Sequence, residues 1–196
     1  QPWYIGDTIP VGIGQSYWTT TPVQLNTSVN TLINAGERYI PQIIRGYMNT
    51  DSSVELIPLK SLRPIEIKNR NNLDVVLNAM RDVVSGEEGG ARHAFADTPY
   101  DSAGKTGTAQ LFTVGQNEKY DATKIDERLR DNAMYVGFAP FDDPEISVTV
   151  VLENVGGGSK NAAPVARQIM DFYFRDRVFE TAEADSANTD NELGTN

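Results

Sequence analysis

Ala103-Gly104-Lys105-Thr106-Gly107-Thr108-Ala109-Gln110-Leu111-Phe112 is the run on which the fold turns. Its small and β-branched residues predict a strand from Ser102 to Phe112. Two further apolar runs follow, Ala133–Ala139 and Ile146–Leu152, joined by the hairpin-length turn Pro140-Phe141-Asp142-Asp143-Pro144. Three sequential strands of this kind predict an antiparallel sheet. The near-continuous apolar run Ile146-Ser147-Val148-Thr149-Val150-Val151-Leu152 reads as a central strand covered on both faces.

Working outward, helices bracket the sheet. Thr21-Pro22-Val23-Gln24 is a capping box with Pro at the first helical position. Leu25, Val29, Leu32 and Ile33 then recur at helical spacing, and Gly36 is a C-terminal stop. Asn71–Val84 has Leu73, Val76, Met80, Val83 and Val84 on one face, and Gly86 ends it. Ala162–Phe174 is the last helix, after a hinge-like Gly156-Gly157-Gly158. Residues 1–18, rich in Gly, Pro and aromatics, read as loop, and Arg38–Met48 as extended with a turn at Asn49–Ser53. Gly115–Asp131 reads as a long polar connection with a short helix at Ala122–Leu129. The pattern is of α/β class, α+β type: an antiparallel sheet flanked by helices. One domain is expected over residues 1–179, followed by a disordered acidic tail, 180–196.

Composition narrows the function. The chain has 196 residues, 39% hydrophobic and 22% charged, within the soluble globular range. No run of about 18 apolar residues is present. The net charge of −10, with acids gathered in the tail at Glu180, Glu183, Asp185, Asp190 and Glu192, argues against a nucleic-acid partner. The absence of cysteine excludes disulfides, thiolate zinc sites and cysteine nucleophiles. The single histidine, His93, excludes a multi-histidine metal site and reads as loop surface. The chain starts at Gln1, which suggests a piece excised from something longer.

Lys105-Thr106-Gly107-Thr108 concentrates a cation, two hydroxyls and a side-chain-free gap on one extended segment. That set suits gripping a small carboxylate at a sheet edge, where backbone N–H groups are also free. Side chains alternate along a strand, so Lys105 and Gly107 share one face and Thr106 and Thr108 the other. All can reach one ligand only at an edge or through a twist. Lys-Thr-Gly alone arises by chance in roughly one chain in twenty of this length, so three letters decide nothing. A phosphate-binding loop needs a glycine where Pro99 stands, so Gly104-Lys105-Thr106 is not one. Ser102-Ala103-Gly104-Lys105 matches the Ser-x-x-Lys nucleophile motif in letters. That chemistry needs both residues on one helical face, and a strand sends them to opposite faces. Ser102 is therefore not expected to be a nucleophile, and no other lysine has a serine three residues before it.

Separated motifs then resemble class B penicillin-binding proteins, most closely their elongation-specific branch. They are Thr8-Ile9-Pro10-Val11-Gly12-Ile13-Gly14-Gln15, Tyr17-Trp18-Thr19, Thr21-Pro22-Val23-Gln24, Lys105-Thr106-Gly107-Thr108-Ala109-Gln110, Glu127-Arg128-Leu129-Arg130-Asp131, Phe138-Ala139-Pro140 and Leu152-Glu153-Asn154. The resemblance covers about residues 1–176. It implies the C-terminal part of a penicilloyl-serine transferase (β-lactamase-like) fold, with the last three strands of a five-stranded sheet. It implies acyl transfer through a serine ester, in a peptidoglycan D,D-transpeptidase that also binds β-lactams. Lys105, Thr106, Gly107 and Thr108 would hold the terminal carboxylate of a stem peptide, and the Thr108 backbone N–H would be an oxyanion-hole donor. The nucleophile and its lysine partner would lie upstream, outside this chain, so this segment alone is expected to be inactive. Implied partners are peptidoglycan stem peptides, β-lactam antibiotics, the N-terminal part of the same transpeptidase and a membrane glycan polymerase. No cofactor and no metal are implied. The implied location is the periplasmic face of the inner membrane, through an N-terminal anchor helix. The alternative reading is a non-catalytic sensor or scaffold of the same fold; a serine β-lactamase relative ranks last.

Overall fold

The computed structural model describes residues 2–15, 17–111 and 125–176. Helix α1 (Thr8–Gly12) follows a single 3-10 turn at Ile5–Asp7, where the sequence predicted loop. Of the glycines that suggest loop, Gly6 lies within the 3-10 turn, Gly12 ends α1 and Gly14 follows it at φ +78°. Helix α2 (Pro22–Ile33) begins as its capping box predicts: Thr21 Oγ1 accepts from the Gln24 N–H at 3.2 Å, and Gln24 Oε1 accepts from the Thr21 N–H at 2.9 Å. It ends at Ile33, and the turn after it closes at Gly36, whose φ of +98° and contact with the Ile65 backbone leave no room for a side chain.

Four short strands follow: β1 (Arg38–Tyr39), β2 (Gly46–Met48), β3 (Val54–Leu56) and β4 (Ser61–Leu62). β1 pairs with β4, and β2 with β3 across the turn expected at Asn49–Ser53. The sequence showed only the outgoing strands. The return strands are two or three residues long, wholly exposed and set among prolines, so they carry no burial alternation. Helix α3 (Arg70–Ser85) extends the expected helix by one residue at each end and is capped by Asn69 Oδ1.

The main sheet is antiparallel, in the order β5 (Ala103–Ala109), β6 (Asn132–Ala139), β7 (Ile146–Leu152). Lys105 stands opposite Val136, Gly107 opposite Met134, and Tyr135 opposite Val150. Strand β5 ends at Ala109, short of the expected Phe112. The short helix expected at Ala122–Leu129 is a 3-10 turn at Glu127–Leu129 in its described part. Strand β7 is packed on both faces as expected, with Val148 and Val150 in the core under the last helix and Ser147 and Thr149 hydrogen-bonded to Asn26 of α2, but it is an edge of the described sheet; β6 is central. The misplacement has a local cause: β6 begins at the polar Asn132 and its apolar run is broken by Gly137, so it looks less buried than it is.

Helix α4 (Gly158–Phe174) starts four residues before the expected Ala162, so Pro164 falls within the helix instead of its first turn. It covers one face of the sheet. Ala162, Ala163, Ala166 and Met170 are fully buried against Tyr135, Val148 and Val150. Small residues let the helix axis approach closely, and the dense contact supplies the main core. The opposite face carries a smaller cluster: Val29 with Ala103, Val136 and Phe138, flanked by Leu25 and Ile33 of α2 and by Leu77 and Met80 of α3. The sheet is thus a thin layer between α4 and the α2/α3 pair. The expected acidic tail, 180–196, lies outside the described residues.

Candidate active site

Strand β5 is hydrogen-bonded on one side only, to β6, so its other edge is free of sheet partners among the described residues. Register assigns its faces. Ala103, Lys105 and Gly107 pair with Phe138, Val136 and Met134 on the α2/α3 side; Gly104, Thr106 and Thr108 pair with Gly137, Tyr135 and Ala133 on the α4 side. Lys105 is exposed, and its Nζ donates to the Thr106 carbonyl at 2.7 Å, which bends the ammonium back over its own edge. Gly107 is half-buried, and a Cβ there would lie 3.3 Å from Met134 Cβ.

The two threonines look the other way. Thr108 Oγ1 accepts from the Gly158 N–H, the first residue of α4, at 3.3 Å. Thr106 Oγ1 lies beside Gly90, next to Ser159 Oγ. The hydroxyls are therefore seated where α4 meets the Gly86–Gly90 loop, while Lys105 stands on the opposite face. The Thr108 hydroxyl proton remains free to donate, since its recorded bond uses only a lone pair.

Three glycines keep this layer thin. Tyr135 is fully buried and lies flat along the sheet with its hydroxyl over Gly104 and Gly137; a Cβ on either would overlap the phenol. Its ring stacks on Phe95 at 5.4 Å. Burial pushes the phenol above its ordinary value. Gly158 is the third: a Cβ would run into the Gly107 and Met134 carbonyls. The run Gly156-Gly157-Gly158 looks hinge-like in the sequence. Gly158 is instead the contact by which α4 touches the Lys105 strand.

Ser102 is 1% exposed, precedes β5 on the α4 side, and its Oγ has no hydrogen-bond partner among the described residues. The nearby Ser-x-x-Lys letters are thus split across the sheet. His93 is exposed, on a turn. Grooves of about 580 and 690 Å³ flank α2, and no β5 residue lines either. Asn154 has φ +60° and ties the β7–α4 corner to the stretch before β6. Its side chain donates to the Arg128 carbonyl at 2.8 Å, and its N–H donates to Asn132 Oδ1 at 2.9 Å. No described helix is long and apolar enough to cross a membrane.

A family model described as the penicillin binding protein transpeptidase domain matches residues 1–171. The chain belongs to that family. Its architecture is that of the penicilloyl-serine transferases, in agreement with the expected fold. It is 42% identical over 179 residues to the peptidoglycan D,D-transpeptidase MrdA of Haemophilus influenzae, covering 91% of this chain and 27% of that protein. It superposes on the crystal structure of Pseudomonas aeruginosa PBP2 in complex with WCK 5153 with a TM-score of 0.71. That match is 36% identical and covers 93% of this chain and 37% of the other. It also resembles a chain of a peptidoglycan synthase complex described as coordinating polymerization and crosslinking. There the TM-score is 0.65 at 27% identity, over 90% of this chain and 27% of the other. The chain spans about a quarter of the length of the curated relatives it matches.

Proposed function

We propose that this penicillin-binding chain forms the C-terminal part of a peptidoglycan D,D-transpeptidase and supplies the carboxylate grip of its active site. The observation that carries the reading is the exposed Lys105 ammonium on the free edge of β5, beside the half-buried Gly107. An incoming peptide can lie antiparallel along such an edge, its backbone meeting free N–H and C=O groups. Its terminal carboxylate then meets the ammonium; the Thr106 and Thr108 hydroxyls, on the opposite face, join it as donors where the carboxylate wraps around the free edge of the strand.

The reaction is acyl transfer. A serine from outside these residues attacks the carbonyl of the penultimate D-alanine; the C–N bond breaks, and D-alanine leaves with a proton on its amine. A second strand's amine attacks the ester and restores the serine. A β-lactam enters the same way, but its amide nitrogen stays tethered after ring opening. The Thr108 backbone N–H donates to the developing oxyanion; a donor of this kind typically contributes about 2.7–4 kcal/mol to the transition state. The reading places the site at the periplasmic face of the inner membrane, with a membrane glycan polymerase as partner. The resemblance to the peptidoglycan synthase complex supports that partner.

Labelling with a fluorescent penicillin tests this. The intact protein forms a covalent adduct stable to denaturing electrophoresis, and residues 1–196 alone form none. An adduct on the isolated segment would overturn the assignment of the nucleophile to another part of the protein. An intact protein that takes no label would favour the sensor or scaffold reading.

A further inference from the structure

Strand β5 must present Lys105 at a fixed tilt, yet among the described residues it is bonded along one side only. Two charged clamps grip the residues leading into it, one from each face. On the α2/α3 side, Asp101 pairs with Arg81 of α3, and the Arg81 guanidinium also lies over the Phe141 ring, 4.8 Å from its centroid. Phe141 belongs to the β6–β7 turn and stacks on Phe138 of β6, so the guanidinium ties the approach to β5 to the sheet itself. On the α4 side, the Tyr100 hydroxyl donates to Asp171 Oδ1 at 2.7 Å. Asp171 in turn pairs with Arg167, which also donates to the Ala94 and Ala96 carbonyls at 3.2 and 2.7 Å.

Tyr100 and Asp101 are neighbours whose side chains leave the chain in opposite directions. The two clamps therefore act as a couple on the strand's long axis. Asp101 shares its face with Ala103 and Lys105, and four residues of extended chain separate it from Lys105, about 13 Å. We propose that the Arg81–Asp101 pair, opposed by the Tyr100–Asp171–Arg167 network, sets the roll of β5 and so positions Lys105 for the substrate carboxylate. Both are positioning groups; neither touches substrate. The inference rests on the transpeptidase reading above.

The energetics make it separable from a folding role. Both partners of the Arg81–Asp101 pair are more than a third exposed, with side chains 41% and 36% accessible. Such a pair adds little to stability. Its loss should show in the site and barely in the melt.

The experiment uses the intact transpeptidase with Asp101→Asn, Arg81→Gln, Arg81→Lys and the charge-swapped R81D/D101R. Stopped-flow acylation by a fluorescent penicillin is resolved into binding affinity and acylation rate constant, beside thermal melts and amide hydrogen exchange. Asp101→Asn and Arg81→Gln should each weaken penicillin affinity about 2- to 30-fold, the range for positional coupling through a contact network. Their Tm should move by no more than about 4 °C. Exchange should quicken in 103–109 and stay unchanged in Ile146–Leu152. Arg81→Lys should recover part of the affinity, because the charge is kept while the stack on Phe141 weakens, and the swapped pair, which restores the ion pair without the stack, should also recover part of it. Wild-type affinity and exchange in the two neutral variants would overturn the proposal, as would losses matched by a general collapse of Tm. Quickened exchange in β5 of a protein whose wild type takes no label would leave the clamp standing and refute the transpeptidase reading instead.

Discussion

Lys105→Ala in the intact protein should separate function from folding. The side chain is exposed, and its recorded bond runs from Nζ to the carbonyl of its own neighbour, Thr106. A single exposed hydrogen bond contributes at most about 1 kcal/mol to stability. For a domain of this size that moves Tm by about 2–4 °C. The same ammonium on a substrate carboxylate makes a charge-assisted bond, worth about 1.5–3 kcal/mol. Second-order acylation should therefore fall roughly 10- to 150-fold. Stopped-flow labelling with a fluorescent penicillin measures the rate, and a thermal melt of the same sample measures Tm. Ionic strength supplies an internal check. The wild-type rate should fall as salt is raised, because screening weakens the ammonium–carboxylate attraction, and the alanine variant should lose that dependence. Lys105→Arg should recover part of the rate, since charge is kept while the reach and donor geometry change. A variant whose Tm collapses while acylation survives would refute the carboxylate-grip role.

Gly158→Ala should cost about 1–3 kcal/mol of stability in urea unfolding and lower acylation with it, because its Cβ meets the Gly107 and Met134 carbonyls where α4 touches β5. Gly157→Ala is the control: a Cβ there has open space and the backbone is extended, so acylation should hold and stability should fall by no more than about 1 kcal/mol, the cost of alanine at the N-cap of α4. Ser102→Ala should leave labelling unchanged and Tm equal or higher, as the buried hydroxyl has no partner among the described residues to lose; loss of labelling would make it a candidate nucleophile. Stability should fall at alkaline pH from about 10 upward. Burial raises the Tyr135 and Tyr100 phenols above their ordinary value of 10.0, so the unfolded chain releases those protons first and gains on the folded one as pH rises. Tyr135→Phe should flatten that decline in a pH series of urea midpoints, and an unchanged slope would contradict the buried, neutral phenol.

Sequence carried the elements whose physics is local. The capping box at Thr21-Pro22-Val23-Gln24 fixed the start of α2, and the 3.6-residue recurrence in Asn71–Val84 found α3 to within a residue at each end. Alternation on 103–109 puts Lys105 and the two threonines on opposite faces, and the register agrees. What stayed hidden depends on partners distant in sequence. The strands β3 and β4 exist only because β2 and β1 pair with them. The start of α4 at Gly158 was masked because three consecutive glycines signal freedom locally. In the fold the last of them is the most constrained, pressed against the backbone of two strands. The clamps on Tyr100 and Asp101 were invisible for the same reason: Arg81 lies 20 residues upstream of one target, and Asp171 lies 71 residues downstream of the other.

These misses share a cause that bears on the site. Gly104, Gly137 and Gly158 are places where a neighbour occupies the position of a Cβ: Tyr135 over the first two, the β5 and β6 backbones against the third. Removing side chains there thins the layer between α4 and the sheet, so the first turn of α4 reaches the Thr108 hydroxyl. A displacement of α4 by one methyl group would consequently move the strand that carries Lys105, with no intervening side chains to absorb it. Packing at the back of the sheet and geometry at its front edge are therefore one mechanical unit. On that account, substitutions that thicken the α4–β5 contact should lower acylation in proportion to their cost in stability. Those that release the Arg81–Asp101 pair should lower it with little such cost.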